Sequence, residues 1–144
     1  MKGKFKKFLI KIGVVVLLVV MIGGTIVSIK EKKESENAIH IVQSGVSKIN
    51  ENSNYKEAFE KYFTNLSWFT YKNSQGIRIV GFTAQRYMHD RNTMGDYEIS
   101  YIVDENTNTF KFYKGTCNQI PLNQIDMLKI TICAFDQVDS VDNY

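Results

Sequence analysis

From Ile12 to Ile29 the chain runs for 18 residues without a charged side chain, and Lys2, Lys4, Lys6, Lys7 and Lys11 all precede that run. As a helix such a run spans about 27 Å at 1.5 Å per residue, against a bilayer hydrocarbon core of ~30 Å. Phe8, Leu9 and Ile10 add another turn if Lys11 snorkels its ammonium back to the head groups. A helix apolar on every face is unsuited to the surface of a small soluble domain. The pattern therefore predicts an N-terminal transmembrane helix, with residues 1–29 forming a basic cytoplasmic stub and membrane anchor. Lys6, Lys7 and Lys11 flank it on the side where positive charge is retained, which predicts a cytoplasmic N-terminus and an extracytoplasmic remainder.

A basic start followed by an apolar run also describes a signal peptide. The run exceeds the ~7–15 apolar residues of such a peptide, and no A-x-A-like cleavage site follows it. In "TIVSIKEKK" only Ser28 is small. The reading is a retained anchor, with a cleaved, secreted form as the alternative. No cysteine stands near the end of the run, which argues against a lipid-modified N-terminus.

Beyond the run the pattern changes to "KEKKESENAIHIVQSG", charged and rich in helix formers. It predicts a helical stalk or linker over residues 30–45, with Gly45 as a left-handed helix cap. "NYKEAFEKYFTN" then places Ala58, Phe59, Tyr62 and Phe63 at spacings of three and four, one apolar helical face. Asn54 is its predicted N-cap, with Glu57 returning a capping-box hydrogen bond.

Period-two runs follow: "LSWFTY", "IRIVGFTAQRYM", "YEISYIV" and "TFKFYKG", separated by "KNSQG", "DRNTMGD" and "DENTN". Short connections rich in Gly, Asn and Asp predict a four-stranded antiparallel meander. In the third run Tyr97, Ile99, Tyr101 and Val103 alternate with more polar positions, so one face needs a helical cover. Pro121 suits a first helical turn, and "LNQIDMLKITICAF" sets Ile125, Leu128, Ile132 and Phe135 on one predicted stripe. The fold class read from the pattern is α+β: transmembrane helix, helix, four-stranded meander and C-terminal helix. The predicted extracytoplasmic domain covers residues 46–135 and an acidic tail residues 136–144.

Composition refines this reading. The aromatic content is 12%, with eight Tyr and nine Phe, too many large apolar groups for a disordered segment. The first 29 residues carry five lysines and no acid, so the chain's formal +3 leaves −2 for residues 30–144. That balance offers no basic domain for nucleic acid.

The stretches "YKEAFEKYFTNLSWFTY", "IVGFTA" and "YEISYIVDENTNTFKFYKGTCNQIPLNQIDMLKI" resemble an uncharacterised family of small extracytoplasmic domains carried behind a single N-terminal membrane span in Gram-positive bacteria. The likeness covers roughly residues 42–134. Its pattern is a helix ending in paired aromatics, a Trp shortly after, a meander and a closing helix. These positions form the core, so the resemblance implies a fold and a location; it brings no catalytic residues.

Candidate chemistry is sparse. His40 lies on the expected stalk and His89 in the turn "MHDRN", too few ligands for a zinc site. Asp96, Glu98, Asp104 and Glu105 sit on turns and wet strand faces without a calcium-loop pattern, and the glycines form no phosphate-cradling run. The order of elements separates Cys117 from Cys133 by about 16 Å along a helix starting near Leu122. A disulfide needs Cα atoms within ~7 Å; a buried Cys133 and a half-exposed Cys117, both unpaired, is the preferred reading. No metal or cofactor is expected.

Trp68, Phe69 and Tyr71 point to alternate faces of one strand. A ring on the uncovered face, together with Tyr87, Tyr97 or Tyr113, is a candidate interaction surface; the competing role for Trp68 is to fill the core. The expectation is a non-catalytic, single-pass envelope domain that binds another envelope protein or a cell-wall ligand. The alternative is a structural subunit of an envelope secretion or conjugation complex.

Overall fold

A computed structural model describes residues 28–89 and 91–137. Lys6, Lys7, Lys11 and the expected membrane span up to residue 27 lie outside the described residues. Among the described residues no helix is long and apolar enough to cross a membrane. The fold is α+β, but the expected fold class is corrected: the main sheet has five strands rather than four, and a separate two-stranded sheet precedes it. The described part therefore holds three helices and no transmembrane helix.

The chain divides into two units, residues 1–35 and 36–144. Helix α1 is helical over residues 28–43. In the first unit Lys30 Nζ stands 3.9 Å from Glu34 Oε1, an exposed i, i+4 pair worth only a few tenths of a kcal/mol.

In the second unit the elements follow as β1 (Val46–Ser47), β2 (Asn50–Asn54), α2 (Tyr55–Tyr62), β3 (Thr64–Lys72), β4 (Arg78–Met88), β5 (Thr93–Asp104), β6 (Thr109–Cys117), β7 (Ile120–Leu122) and α3 (Gln124–Asp136). Strands β1 and β2 pair with each other; β3 to β7 form one antiparallel sheet in sequence order.

The fifth strand arises from turn chemistry. Asn118 and Gln119 both take left-handed conformations (φ 50° and 67°), and together they form the two-residue connection that lets Cys117 face Ile120. Left-handed residues at both central positions match the right-handed twist of the flanking strands. Pro121 consequently sits in an edge strand, where a missing N–H is tolerated, and not in the first turn of a helix. Helix α3 begins after Asn123, whose side chain accepts from the Ile125 and Asp126 amides while Asp126 Oδ2 accepts from the Asn123 amide at 2.9 Å. The reciprocal capping box belongs to this helix; at α2 Asn54 Oδ1 accepts from the Glu57 amide at 2.9 Å.

The register puts Val80, Phe82 and Ala84 of β4 opposite Tyr101, Ile99 and Tyr97 of β5, so these residues share one face. Upon that face pack Ala38, Ile41 and Val42 of α1, Ala58 and Phe59 of α2 with Phe63, and Met127, Ala134 and Phe135 of α3. The residues expected to form a stalk thus contribute side chains to the core. Aromatic rings fill its centre: Phe59 lies 5.0 Å from Phe82, and Tyr55 meets Phe110 and Phe135 edge-on at 5.0 and 5.1 Å. Edge-to-face pairs of this kind contribute about 0.5–1.5 kcal/mol beyond their buried area.

Two further expectations are corrected by this packing. Gly45 is not a left-handed cap, since Gly76 is the glycine with positive φ among those described; a Cβ on Gly45 would stand 2.5 Å from Phe110 Cε1, so close approach requires glycine there. The apolar stripe of α3 also differs. Ile125 and Leu128 are 65% and 56% exposed, while Met127, Cys133, Ala134 and Phe135 are buried. The helix carries apolar residues around much of its circumference, and period alone could not choose the inner side.

Candidate functional site

Among the described residues no helix packs on the other side of the β3–β7 sheet, although Ile79 and Ser100 there are buried. The centre of that side is Phe69, Gly81 and Ser100 in one cross-strand row and Tyr71, Ile79 and Ile102 in the next. Toward the β4–β5 hairpin the same face becomes polar: Thr83 pairs with Glu98, Gln85 with Asp96, and Tyr87 with Met94. Thr83, Gln85, Asp96 and Glu98, with Asn65, Thr116, Asn118 and Gln119, line a trough of about 600 Å³; Tyr87 lines a hollow on the other side of the hairpin.

A chain of hydrogen bonds runs at this trough from β3 across β4 and β5 to the β6–β7 turn. Asn65 Nδ2 donates to Gln85 Oε1 at 2.7 Å, and Gln85 Nε2 donates to Asp96 Oδ1 at 2.8 Å. The Asp96 amide then donates to Asn118 Oδ1, and the Asn118 amide to the Asp96 carbonyl, both at 2.8 Å. The left-handed conformations of Asn65 and Asn118 (φ 52° and 50°) place their amides at the two ends, a conformation that Asn tolerates better than most residues. The planar groups are held in fixed orientation before any ligand arrives, which reduces the ordering cost of binding.

Tyr87 stands two residues along β4 from Gln85, on the same face, and is 42% exposed. Its hydroxyl pairs with Asn92 Oδ1, and its ring meets His89 edge-on at 5.0 Å. It offers a flat apolar surface beside the polar row.

The other three aromatic candidates lie elsewhere. Trp68 faces the helices: it pairs with Phe82 in the register, its ring is 5.1 Å from that of Phe82, and its Nε1 is buried without a partner. Tyr97 is also on the helix side, 5.1 Å from Phe63. Tyr113 is the extra residue of a bulge, since Ser100 pairs with Lys114 and Tyr101 with Phe112, and it is 44% exposed. The structure does not gather the four into one surface.

A second hollow, of about 510 Å³, opens on the helix side of the hairpin. Tyr62 of α2, Asp126, Lys129 and Ile130 of α3, Ile120–Leu122 and the β4–β5 hairpin enclose it. Arg86 Nη1 donates to the Tyr62 carbonyl at 2.7 Å, and the guanidinium carbon lies 3.5 Å from the centre of the Tyr62 ring. Tyr97 hydrogen-bonds Cys117, and burial, followed by that thiol, holds the Tyr97 phenol well above its ordinary pKa. Neither Cys117 nor Cys133 is in a disulfide; the first is half-buried and the second buried.

Arg86, Arg91 and Lys129 are the residues that sequence reasoning missed. One signal was available: Arg86 continues the Val80, Phe82, Ala84 parity of β4, so a cation falls on the apolar side of the strand. Arg91 and Lys129 carry no such mark, because only the fold brings the hairpin and α3 together. Among the described residues no group of three His, Cys, Asp or Glu side chains could hold a metal ion.

No protein-family model, curated protein or solved structure matches the chain, so a functional reading rests on the geometry and the sequence.

Proposed function

We propose that the chain is a membrane-tethered, extracytoplasmic binding domain of the cell envelope that acts through the face of its sheet opposite the helices. The observation that carries this reading is the trough, where Asn65, Gln85, Asp96 and Asn118 are linked from β3 across β4 and β5 to the β6–β7 turn, with the exposed ring of Tyr87 two residues along β4 from Gln85. An aromatic surface next to fixed amides and carboxylates suits a ligand that is polar on its edges and apolar on its flat faces, as a wall glycan is. The tether is read from the uncharged residues 12–29 and the lysines before them. The role is binding: Asp96 serves as an acceptor within the hydrogen-bonded row, and no pair of poised acids is needed.

A second reading, a structural subunit of an envelope secretion or conjugation complex, is favoured by one feature. Ile125 and Leu128 expose neighbouring aliphatic side chains on the outer side of α3, a surface suited to another protein chain.

The test is co-sedimentation of the detergent-solubilised full chain with purified cell-wall sacculi. The wild-type chain is expected to be retained, and Tyr87→Ala and Gln85→Ala each to reduce retention at least about tenfold, the loss of one good contact of ~1.4 kcal/mol. Equal retention of the variants would remove the trough from the proposal, and failure of the wild type to sediment would remove the wall ligand.

A further inference from the structure

We infer that the outer edge of β3 is an interface at which two copies of this chain pair antiparallel about a two-fold axis, joining their five-stranded sheets into one. The inference does not rest on ligand binding in the trough.

The direction of the main chain is the first argument. Thr70 Oγ1 donates to the Ile79 carbonyl at 2.7 Å and the Asn73 amide to the Ile77 carbonyl at 3.0 Å, so both carbonyls point toward β3. Antiparallel pairs alternate between hydrogen-bonded and non-hydrogen-bonded, which makes Tyr71–Ile79, Phe69–Gly81 and Ser67–Thr83 the hydrogen-bonded pairs. The amides and carbonyls of Trp68 and Thr70 consequently face away from β4. Among the described residues no strand pairs with β3 on that side. Main-chain groups presented in this way are a template for another strand.

The difference between the two edges of the sheet is the second. At the far edge β7 has three residues with Pro121 in the middle, and both shortness and proline blunt an edge. Strand β3 has nine residues and carries neither charge nor proline from Thr64 to Tyr71. Its irregularity lies at the start, between Thr64 and Ser67. This asymmetry selects the arrangement. Pairing β3 of one copy with β7 of the next would build an open filament, and β7 is a poor partner for that; pairing β3 with β3 uses the long edge of each copy and closes at two.

The side chains supply the third. With Thr70 on the axis, Phe69 of each copy lies opposite Tyr71 of the other, and Trp68 opposite Lys72. Phe69 and Tyr71 already stack within the chain, with ring centres 6.3 Å apart and planes 19° from parallel, and Tyr71 is 38% exposed. The pairing therefore continues a row of rings across the axis, and aromatic cross-strand pairs stabilise a sheet. Lys72 is the one charged residue of β3. Opposed to Trp68, the two copies of Lys72 stand four residues apart along the ladder, about 14 Å at ~3.4 Å per residue. That exceeds the screening length of about 8 Å at physiological salt. A parallel pairing in register would instead set Lys72 beside Lys72.

The experiment combines sedimentation equilibrium with amide hydrogen exchange on the full chain in density-matched detergent micelles. A reversible equilibrium between one and two copies is expected. As protein concentration rises through it, exchange at the Trp68 and Thr70 amides should slow at least about tenfold, while Phe69 and Tyr71, bonded to β4 in either state, should not change. Thr70→Pro removes the two symmetric donors at the axis and keeps the ladder to β4, so it is expected to weaken the dimer at least about tenfold. Tyr71→Lys places a charge opposite Phe69 on an exposed position and is expected to do the same. It keeps the test decisive if the proline variant does not fold.

A single copy at every concentration would overturn the interface. So would a dimer in which Trp68 and Thr70 exchange as they do in the monomer, or one that Tyr71→Lys leaves intact. A dimer dispersed by Ile125→Gln with Leu128→Gln and unmoved at Trp68 and Thr70 would assign the contact to α3 instead. Retention on sacculi is read separately, and its failure would leave this inference standing.

Discussion

The ring of Phe69 occupies the space over Gly81: a Cβ built on Gly81 would stand 2.5 Å from Phe69 Cζ and 2.8 Å from Ser100 Oγ. The two residues face each other across β3 and β4, and the aromatic ring covers the gap that glycine leaves on the face opposite the helices. Gly81→Ala is expected to destabilise the domain by about 1–3 kcal/mol through overpacking. Phe69→Ala in the same chain should recover part of that loss, because the clash is with its ring. Urea unfolding midpoints of the two single variants and the double variant measure both effects. An unaltered midpoint in Gly81→Ala would mean that Phe69 does not lie there.

Tyr101 is buried at 3% exposure with its hydroxyl unpartnered, while its ring packs edge-on against Phe110 at 5.5 Å. A buried hydroxyl without a hydrogen bond opposes folding. Tyr101→Phe keeps the ring and removes that group, so it is expected to leave stability unchanged or raise it by about 1 kcal/mol. Tyr101→Ala should instead cost about 3–5 kcal/mol by analogy with other large aromatic truncations. A loss of stability in Tyr101→Phe would reveal a partner for the hydroxyl.

Much of the second unit was legible in the residue pattern because its signals are local. The alternation of Tyr97, Ile99, Tyr101 and Val103 located β5 and its inner face, and the spacing of Ala58, Phe59 and Phe63 located α2 and its buried side. The fifth strand was not legible: "NQIPL" is short, contains a proline and pairs only because Asn118 and Gln119 turn left-handed together. The α3 stripe failed for a different reason, since Ile125, Met127, Leu128 and Ile130 surround the helix and only the position of the sheet selects among them. The hollow beside Arg86 was hidden for a third reason. Its cations come from β4, a hairpin and α3, more than forty residues apart at the extremes.

Burial raises the phenol pKa values of Tyr55, Tyr97 and Tyr101 above the ordinary 10.0. The folded chain therefore holds these protons to higher pH than the unfolded chain does. The stability linked to them is whole below pH 10 and declines as pH rises through the folded-state values. Urea midpoints are expected to hold steady from about pH 7 to about pH 9 and to fall above about pH 10. Tyr101→Phe should flatten part of that fall. A midpoint independent of alkaline pH would mean that the three phenols ionise as freely in the fold as out of it.

Met127 and Leu128 are adjacent on α3, yet one is 4% exposed and the other 56%. Met127→Ala is expected to cost about 2–5 kcal/mol, as truncation of a buried Met commonly does, whereas Leu128→Ala should stay within about 0.5 kcal/mol. The reverse order would restore the stripe expected from helical spacing and rotate α3 about its axis. Leu128→Gln with Ile125→Gln carries the comparison further, because it removes exposed apolar surface without touching the core. That variant should match the parent in urea and self-associate less in sedimentation if the outer side of α3 meets another chain.

The location of the domain is the premise on which the sheet-face proposal depends, and it can be tested without any ligand. A full-length chain with a C-terminal tag, expressed in a Gram-positive host, is exposed to protease on intact protoplasts. An uncharged run of 18 residues preceded by five lysines should hold the N-terminus inside, so the tag is expected to be lost while the undigested protein fractionates with the membrane at full length. Lys6→Glu, Lys7→Glu and Lys11→Glu together remove the flanking charge and should increase the protected fraction. A protected tag in the parent chain would place the trough in the cytoplasm and remove the wall ligand from consideration. A shortened protein in the medium would mean that the run is cleaved, leaving the binding surfaces exposed but untethered.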